Sequence, residues 1–355
     1  MILDAIAQLK ASMHESPIGR VPGLEWFCGS VIDLLTGPFT GLRTRSYWPE
    51  LVAALVIAGI VFMIRDRKPG QYLAAFGRYC FPRAQFMHQS TWVDCKLILA
   101  NHFVTPVTNF TWRLNTVWFT TLLLSAMTAT FGPAPQSHEW TTTAIVLFTI
   151  LFALAEDFGY FLFHLASHRI GWMWAFHKVH HSAETLQVFA NVRVHPVEVM
   201  LTGPFKALTG AFVMAPALYF WAGDVSFTTI LGMNLMAAFY GFVGGQLHHC
   251  HIWISWGRVL EHIFISPAQH QIHHSTQPRH WDRNMGGNFA LWDWAFGTLY
   301  VPRERETLTF GLGGTSGQPH PTLCAAYLEP FWAVTPDFVK RWIAAATGTL
   351  SGSRR

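Results

Sequence analysis

Histidines are concentrated in the middle of this 355-residue chain, where thirteen of the nineteen lie between His164 and His274. Three clusters have spacings typical of metal ligands: His164-x-x-x-His168, His177-x-x-His180-His181 and His270-x-x-His273-His274. Side chains three or four residues apart share one face of a helix, about 5–6 Å apart, so the rings of one cluster can approach one ion. Neutral imidazole is the commonest side-chain metal ligand. The spacing therefore predicts a metal site.

The number of these histidines indicates more than one ion. Eight imidazoles exceed the ligand set of a four-coordinate zinc ion, so we expect two ions that each receive several ring nitrogens. Burying so many polar rings near lipid is costly unless each ring has a partner. The three clusters together therefore predict metal binding more strongly than any one of them does.

The composition favours a membrane protein. Charged residues make up 12% of the chain and apolar residues 51%, and so few charges would hardly cover a water-exposed surface. The net charge of +4 is too small to indicate a nucleic-acid partner. The five cysteines form no C-x-x-C pair, which argues against a zinc ribbon, a redox dithiol or a disulfide framework.

Five apolar runs are predicted to span the membrane, at about 48–64, 114–131, 141–163, 199–221 and 227–247. The segment from Arg65 to Arg113 is basic and is expected in the cytoplasm by the positive-inside rule. Alternation then places every histidine cluster, and the C-terminal segment, on the cytoplasmic face. The N-terminus lacks the features of a signal peptide.

These patterns predict an all-α fold: a multi-span helical membrane protein whose cytoplasmic helical cap holds a histidine-rich di-metal site. We expect an interfacial N-terminal segment at 1–46, a membrane-embedded domain at 47–300 and a cytoplasmic tail at 301–355.

Several motifs resemble those of the fatty acid hydroxylase and sterol desaturase superfamily of integral-membrane di-iron enzymes. The resemblance covers about Ser90 to Tyr300. It rests on Asp157-Phe158-Gly159-Tyr160 before His164, the stretch His168-Arg169 to His181-Ser182, Arg193-Val194-His195-Pro196-Val197-Glu198, Ser266-Pro267 to His274-Ser275, and Asn288 to Thr298.

The resemblance implies an enzyme with two iron ions and dioxygen as co-substrate, which hydroxylates or desaturates a lipid C–H bond. A sterol, fatty acyl chain, carotenoid or ether lipid would enter from the bilayer. The resemblance also implies at least one ligand between the second and third clusters. His249 takes that position by alignment and His251 is the next candidate; His195 or His251 is a candidate to complete the shell.

Carboxylates are expected to accept hydrogen bonds from the second ring nitrogen of metal-bound histidines. The nearby candidates are Asp157, Glu184, Glu198, Asp282 and Asp293. We predict catalytic roles for Asp157 and Glu198. Asp157 falls inside a predicted span, where an ionisable residue indicates a functional site.

The sequence has no haem signature, no cysteine set for an iron–sulfur cluster and no G-x-G-x-x-G loop. A separate electron-donor protein is therefore expected.

Two other functional classes remain open. A zinc-dependent membrane hydrolase would require an H-E-x-x-H pair, which the sequence lacks, and a metal transporter would carry ionisable residues throughout its spans.

Overall fold

The computed structural model describes residues 28–32, 48–65, 72–108, 115–135, 138–221, 245–313 and 318–346. Within these ranges the regular structure is helical, with one isolated bridge between Phe264 and Phe289. In chain order the α-helices after residue 47 are α1 (Trp48–Arg65), α2 (Tyr72–Cys80), α3 (Arg83–Phe86), α4 (Gln89–Thr108), α5 (Asn115–Phe131), α6 (Thr142–Arg169), α7 (Gly171–His181), α8 (Pro196–Phe220), α9 (Pro267–His273), α10 (Leu291–Phe296), α11 (Leu323–Val334) and α12 (Asp337–Ala346).

Four of the five predicted spans coincide with helices, namely α1, α5, α6 and α8. Of the described helices, α6 and α8 are long and apolar enough to cross a membrane, whereas the apolar parts of α1 and α5 are shorter. Nearly all of the fifth predicted span, and most of the N-terminal segment 1–46, lie outside the described residues.

Helix α6 is longer than its predicted span because it continues through the first histidine cluster to Arg169. It begins where the Thr141 hydroxyl accepts a hydrogen bond from the Ala144 N–H. Its 28 residues extend about 42 Å at 1.5 Å per residue, more than the roughly 30 Å of a hydrocarbon core. The helix can therefore cross a bilayer and still carry its last two turns beyond it.

Helices α6 and α8 pack closely at Gly159. A Cβ atom on Gly159 would lie 2.7 Å from the Lys206 Cα and would also collide with the Phe205 carbonyl. Small residues allow this close approach between apolar helices, where dispersion contacts replace the hydrophobic effect. The contact brings the C-terminal end of α6 beside the N-terminal end of α8, which begins at Pro196 with His195 as its N-cap.

Two helical regions were not anticipated. The basic segment expected as a loop contains the 20-residue α4, in which Val93 and Leu97 pack with Val179 of α7. The segment expected as a tail contains α11, whose Ala326 joins the same cluster. Helices α4 and α11 therefore support α7, the helix that carries the second histidine cluster.

Candidate metal centre

The C-terminal end of α6, together with α7, α9 and the segment after Gly245, places nine histidines in two groups. The first group contains His164, His168, His177, His181 and His273. The second contains His180, His249, His270 and His274. Within each group, one nitrogen from every ring lies within 4.8 Å of the others. The nine rings are buried or nearly so.

The two H-x-x-H-H motifs contribute to both groups in a crossed arrangement. In α7 the outer pair, His177 and His181, belongs to the first group, whereas His180 belongs to the second. In the α9 motif the outer pair belongs to the second group, whereas His273 belongs to the first. Residues four apart on a helix point in similar directions, whereas adjacent residues such as His180 and His181 do not face each other. Each motif therefore contributes rings to both groups.

The distances between ring nitrogens match those of neighbouring ligands on one metal ion. In the first group the Nε2 atom of His177 lies 3.1 Å from the Nε2 atoms of both His164 and His181. In the second group the Nε2 atom of His249 lies 3.0 Å from that of His180 and 2.9 Å from that of His270. Two metal–nitrogen bonds of about 2.1 Å at a right angle place their nitrogens about 3.0 Å apart.

In several of these rings the opposite nitrogen is held by an acceptor. The Nδ1 atoms of His164 and His273 donate to the carbonyl oxygens of Met285 and Arg283, at 2.7 Å and 2.8 Å. In the second group the His180 Nδ1 donates to the Arg193 carbonyl at 3.1 Å. A carbonyl oxygen only accepts, so each of these rings carries its proton on Nδ1.

This tautomer leaves the Nε2 lone pairs pointing into the centre of each group. The Nδ1 atom of His177 lies 2.9 Å from the Glu198 carboxylate, so the His177 and His164 Nε2 lone pairs face each other. The His273 Nε2 is buried and has no hydrogen-bond partner. Converging lone pairs repel each other unless a cation lies between them. The nine residues therefore fit two metal ions.

Burial also keeps these rings neutral. Desolvation disfavours the imidazolium form and lowers the pKa of His177, His180 and His273 from 6.5 to about 3. A metal ion binds only the unprotonated nitrogen. At neutral pH the rings are therefore ready to bind metal without first losing a proton.

Two of the eleven histidines proposed as metal ligands lie outside both groups. His195 caps α8: its Nδ1 accepts the Val197 N–H at 3.1 Å and its Nε2 donates to the Tyr327 carbonyl at the same distance. The Nε2 of His251 is directed to the Tyr79 carbonyl at 2.7 Å. Of His195, His249 and His251, the three candidates for the additional ligand, His249 is the one that lies in a histidine group.

The expected carboxylates divide into those that contact the histidines and those that hold the backbone. Glu198 contacts His177, and an oxygen of Asp282 lies 3.3 Å from the Nδ1 of His168. Asp157 instead accepts the backbone N–H groups of Asn288 and Phe289 and the indole N–H of Trp292. These partners all belong to the segment after the third cluster, so Asp157 holds that segment against α6, and a catalytic role for Asp157 stays a prediction.

The remaining two carboxylates also contact no ring of the two groups. Asp293 accepts the N–H groups of Met285 and Gly286, each at 2.7 Å. The Glu184 side chain lies near Gly311. The position of Asp157 inside an apolar helix indicates a functional site. The sequence does not show with which backbone groups its carboxylate forms hydrogen bonds.

A cavity of about 340 Å³ is lined by histidines of both groups. Its walls include His168, His181, His273 and His274, together with Trp174, Trp281 and Asp282. Trp281 is 61% exposed. The centre is therefore buried but connected to the surface on this side.

Comparisons with known proteins concern the part of the chain that contains both histidine groups. Residues 149–298 match the family model described as "Fatty acid hydroxylase". Residues 149–298 are thus similar to a fatty acid hydroxylase domain. All nine grouped histidines lie within the matched residues.

Three curated relatives are similar to the chain. An alkylglycerol monooxygenase from Xenopus tropicalis is 30% identical over 190 residues, which is 52% of this chain and 38% of that protein. The ornithine lipid hydroxylase OlsE from Rhizobium tropici is 27% identical over 181 residues, half of each chain. The human alkylglycerol monooxygenase is 29% identical over 159 residues, 45% of this chain and 32% of that protein. The chain thus spans half or less of these relatives' lengths. No solved structure matches it.

Proposed function

We propose that this protein is a di-iron enzyme that uses dioxygen to hydroxylate or desaturate a lipid C–H bond. The observation that carries the proposal is the convergence of nine histidines into groups of five and four at one end of two long apolar helices. Imidazole is a suitable ligand for iron. Two bound iron ions would supply the dioxygen activation and the electron transfers needed to break an unactivated C–H bond.

The chain's own residues hold and shield that chemistry. The nine histidines provide the ring nitrogens, and some of the rings are fixed in orientation because the opposite nitrogen is held, as the Met285 carbonyl holds His164 and the Glu198 carboxylate holds His177. The burial of the rings limits the access of bulk water to the centre, apart from the cavity beside His168 and His181. A dry site also limits side reactions of a strong oxidant.

The proposed substrate is a lipid that approaches from the bilayer. Helices α6 and α8 are apolar and of spanning length, and both lead to the centre. Two of the similar proteins are named for alkylglycerol and ornithine lipid, so a lipid with a polar headgroup is the class to test first. Electrons would come from a separate donor protein, on the cytoplasmic side of a multi-pass topology.

Lipid analysis tests the proposal directly. Cells with and without the gene are compared by mass spectrometry, at normal and limiting dioxygen. We expect a lipid that is heavier by one oxygen atom, or lighter by two hydrogen atoms, only when both the gene and dioxygen are present. Identical lipid profiles would contradict the proposal.

Metal analysis separates the remaining classes. Two iron ions per purified chain support the oxygenase. One labile zinc ion and no iron would instead favour the hydrolase or the transporter.

A further inference from the structure

The segment Asp282–Met285 follows the third histidine cluster and lies against the first histidine group. Three of its groups face three histidines: the Asp282 carboxylate faces His168, at 3.3 Å, and the carbonyls of Arg283 and Met285 accept from His273 and His164. The four-residue segment thus contacts three of the five rings of the first group. For the second group, the corresponding contact of His180 comes from Arg193, elsewhere in the chain.

The backbone of this segment has an unusual shape. Asp282 and Asn284 have φ angles of 56° and 55°, and they are the non-glycine residues with positive φ in the described part of the chain. Left-handed backbone is uncommon outside glycine, and Asp and Asn tolerate it best. The two left-handed residues alternate with the two residues whose carbonyls face the histidines. The turns therefore direct those carbonyls towards the first group.

Contacts on the other side of the segment hold this shape. The fully buried Asn284 donates from its side chain to the Gln269 carbonyl, and its side-chain oxygen accepts the Tyr300 N–H at 2.7 Å. Asp293 accepts the N–H groups of Met285 and Gly286. At Gly286 an added Cβ would collide with the Phe289 carbonyl. These contacts therefore hold the backbone of the segment independently of the histidines.

We propose that Asp282–Met285 is a positioning element for the first metal ion, and that Asp282 sets the strength of that site by acting through His168. A carboxylate next to the outer nitrogen of a bound imidazole fixes the ring and raises the basicity of the ligating nitrogen. The inference rests on the proposed function only in requiring two bound metal ions. Asp282 itself does not reach the centre, because the His168 ring stands between them.

Three variants separate the possible roles of Asp282. Asp282→Gly removes the carboxylate and is compatible with the left-handed backbone, so folding should be preserved. Asp282→Asn keeps an acceptor and the backbone preference but removes the charge. Arg169→Gln is the matched control: it removes the surface ion pair between Arg169 and Asp282, at 3.4 Å, and leaves the carboxylate beside His168.

The measurements are iron affinity by competition with a chelator and Mössbauer spectra of protein loaded with ⁵⁷Fe. For Asp282→Gly we expect one of the two ions to bind about 10- to 100-fold more weakly, the usual effect of removing such a partner, while the other is unchanged. For Asp282→Asn we expect two ions, with altered Mössbauer parameters for one of them. Arg169→Gln should match the wild type in both measurements.

The outcomes distinguish this inference from the proposed function. Wild-type protein without two iron ions would overturn the proposed function. Wild-type protein with two ions, and Asp282→Gly with the same affinities and spectra, would overturn only the positioning role. Equal weakening of both ions would also overturn it, because that result indicates a general structural effect. Melting curves of the metal-free proteins check that the variants fold like the wild type.

Discussion

The imidazole rings of His181 and His274 stack with centroids 4.6 Å apart, although they belong to different histidine groups. His181 comes from the α7 motif and His274 follows α9. This stacking joins the two groups side by side, without an intervening layer of apolar residues. Both ions would therefore act on the same small volume, as a reaction that uses two metals on one dioxygen molecule requires.

Replacing one histidine of each group should remove one ion at a time. We expect His180→Ala to weaken the second site and His273→Ala the first, and either change to abolish lipid oxidation while the protein still inserts into membranes. Iron per chain and product formation are the measurements. His251→Ala is the control, since His251 lies outside both groups, and it should keep both ions. Retained turnover in either of the first two variants would count against the di-iron assignment.

Glu198 should strengthen the first site through His177. Glu198→Gln keeps an acceptor for the His177 Nδ1 but loses the negative charge beside it. We expect the affinity of the first site for iron to fall about 10- to 100-fold, measured by chelator competition. Glu156→Gln serves as the control, because Glu156 pairs loosely with Lys206 at 3.9 Å and is partly exposed. Equal affinities in the two variants would refute the role of Glu198.

Arg193 should be a major source of stability. Its guanidinium is fully buried, lies 2.7 Å from the equally buried Asp94 carboxylate, and also donates to Ser182 and the Val179 carbonyl. Arg193→Met leaves Asp94 buried and unpaired, so we expect a loss of about 3–5 kcal/mol, seen as a lower melting temperature in detergent.

The double variant Asp94→Leu/Arg193→Met removes both charges. It should recover part of the stability that Arg193→Met loses, because no unpaired charge stays buried. Melting temperatures that are the same for the wild type and Arg193→Met would show that the pair contributes little.

The close contact between α6 and α8 gives a further prediction. Gly159→Ala places a methyl group against the backbone of α8, so the helices must separate. We expect a loss of about 1–3 kcal/mol together with weaker iron binding, since α6 carries His164 and α8 carries Glu198. Gly77→Ala is the control: nothing lies within 4 Å of the position its Cβ would take. An unchanged melting temperature and iron content in Gly159→Ala would contradict the packing argument.

The proposed orientation can be tested with a reporter fused after Arg355. We expect a cytoplasmic signal, because the positive-inside rule places the basic segment and the histidine clusters on that side. A second fusion in the 132–140 segment, expected outside, provides the comparison. An external signal from the C-terminal fusion would refute the topology and leave the metal site untouched.

The sequence predicted the site best where the regular spacing of histidines places their side chains on the same face of a helix. The three clusters are on or beside helices, as their spacing predicted, and nine of the proposed ligands come together. The crossed use of the two motifs was not anticipated, since it depends on how α7 and α9 face each other. For His195 and His251, spacing and alignment did not show that carbonyls at Tyr327 and Tyr79 engage the rings.

Contacts distant in sequence were the hardest to anticipate. Helix α4 contains polar and charged residues among its apolar ones and therefore looks like a loop by hydropathy, yet its Asp94 is buried against Arg193. The segment Asp282–Met285 carries no motif. Its role comes from backbone carbonyls and left-handed turns, which a sequence does not reveal unless glycine marks them.

The crossed motifs have a consequence for how such a centre can change. A single residue inserted between His177 and His180 would rotate the later ring by about 100° relative to the earlier one, and both ions would lose a ligand together. The same holds for the other motif. An insertion or deletion between the first two histidines of a motif therefore cannot change the ligands of one ion without changing those of the other. The spacing within each motif must be kept. Differences between the two ions must then arise from the groups that surround the histidines.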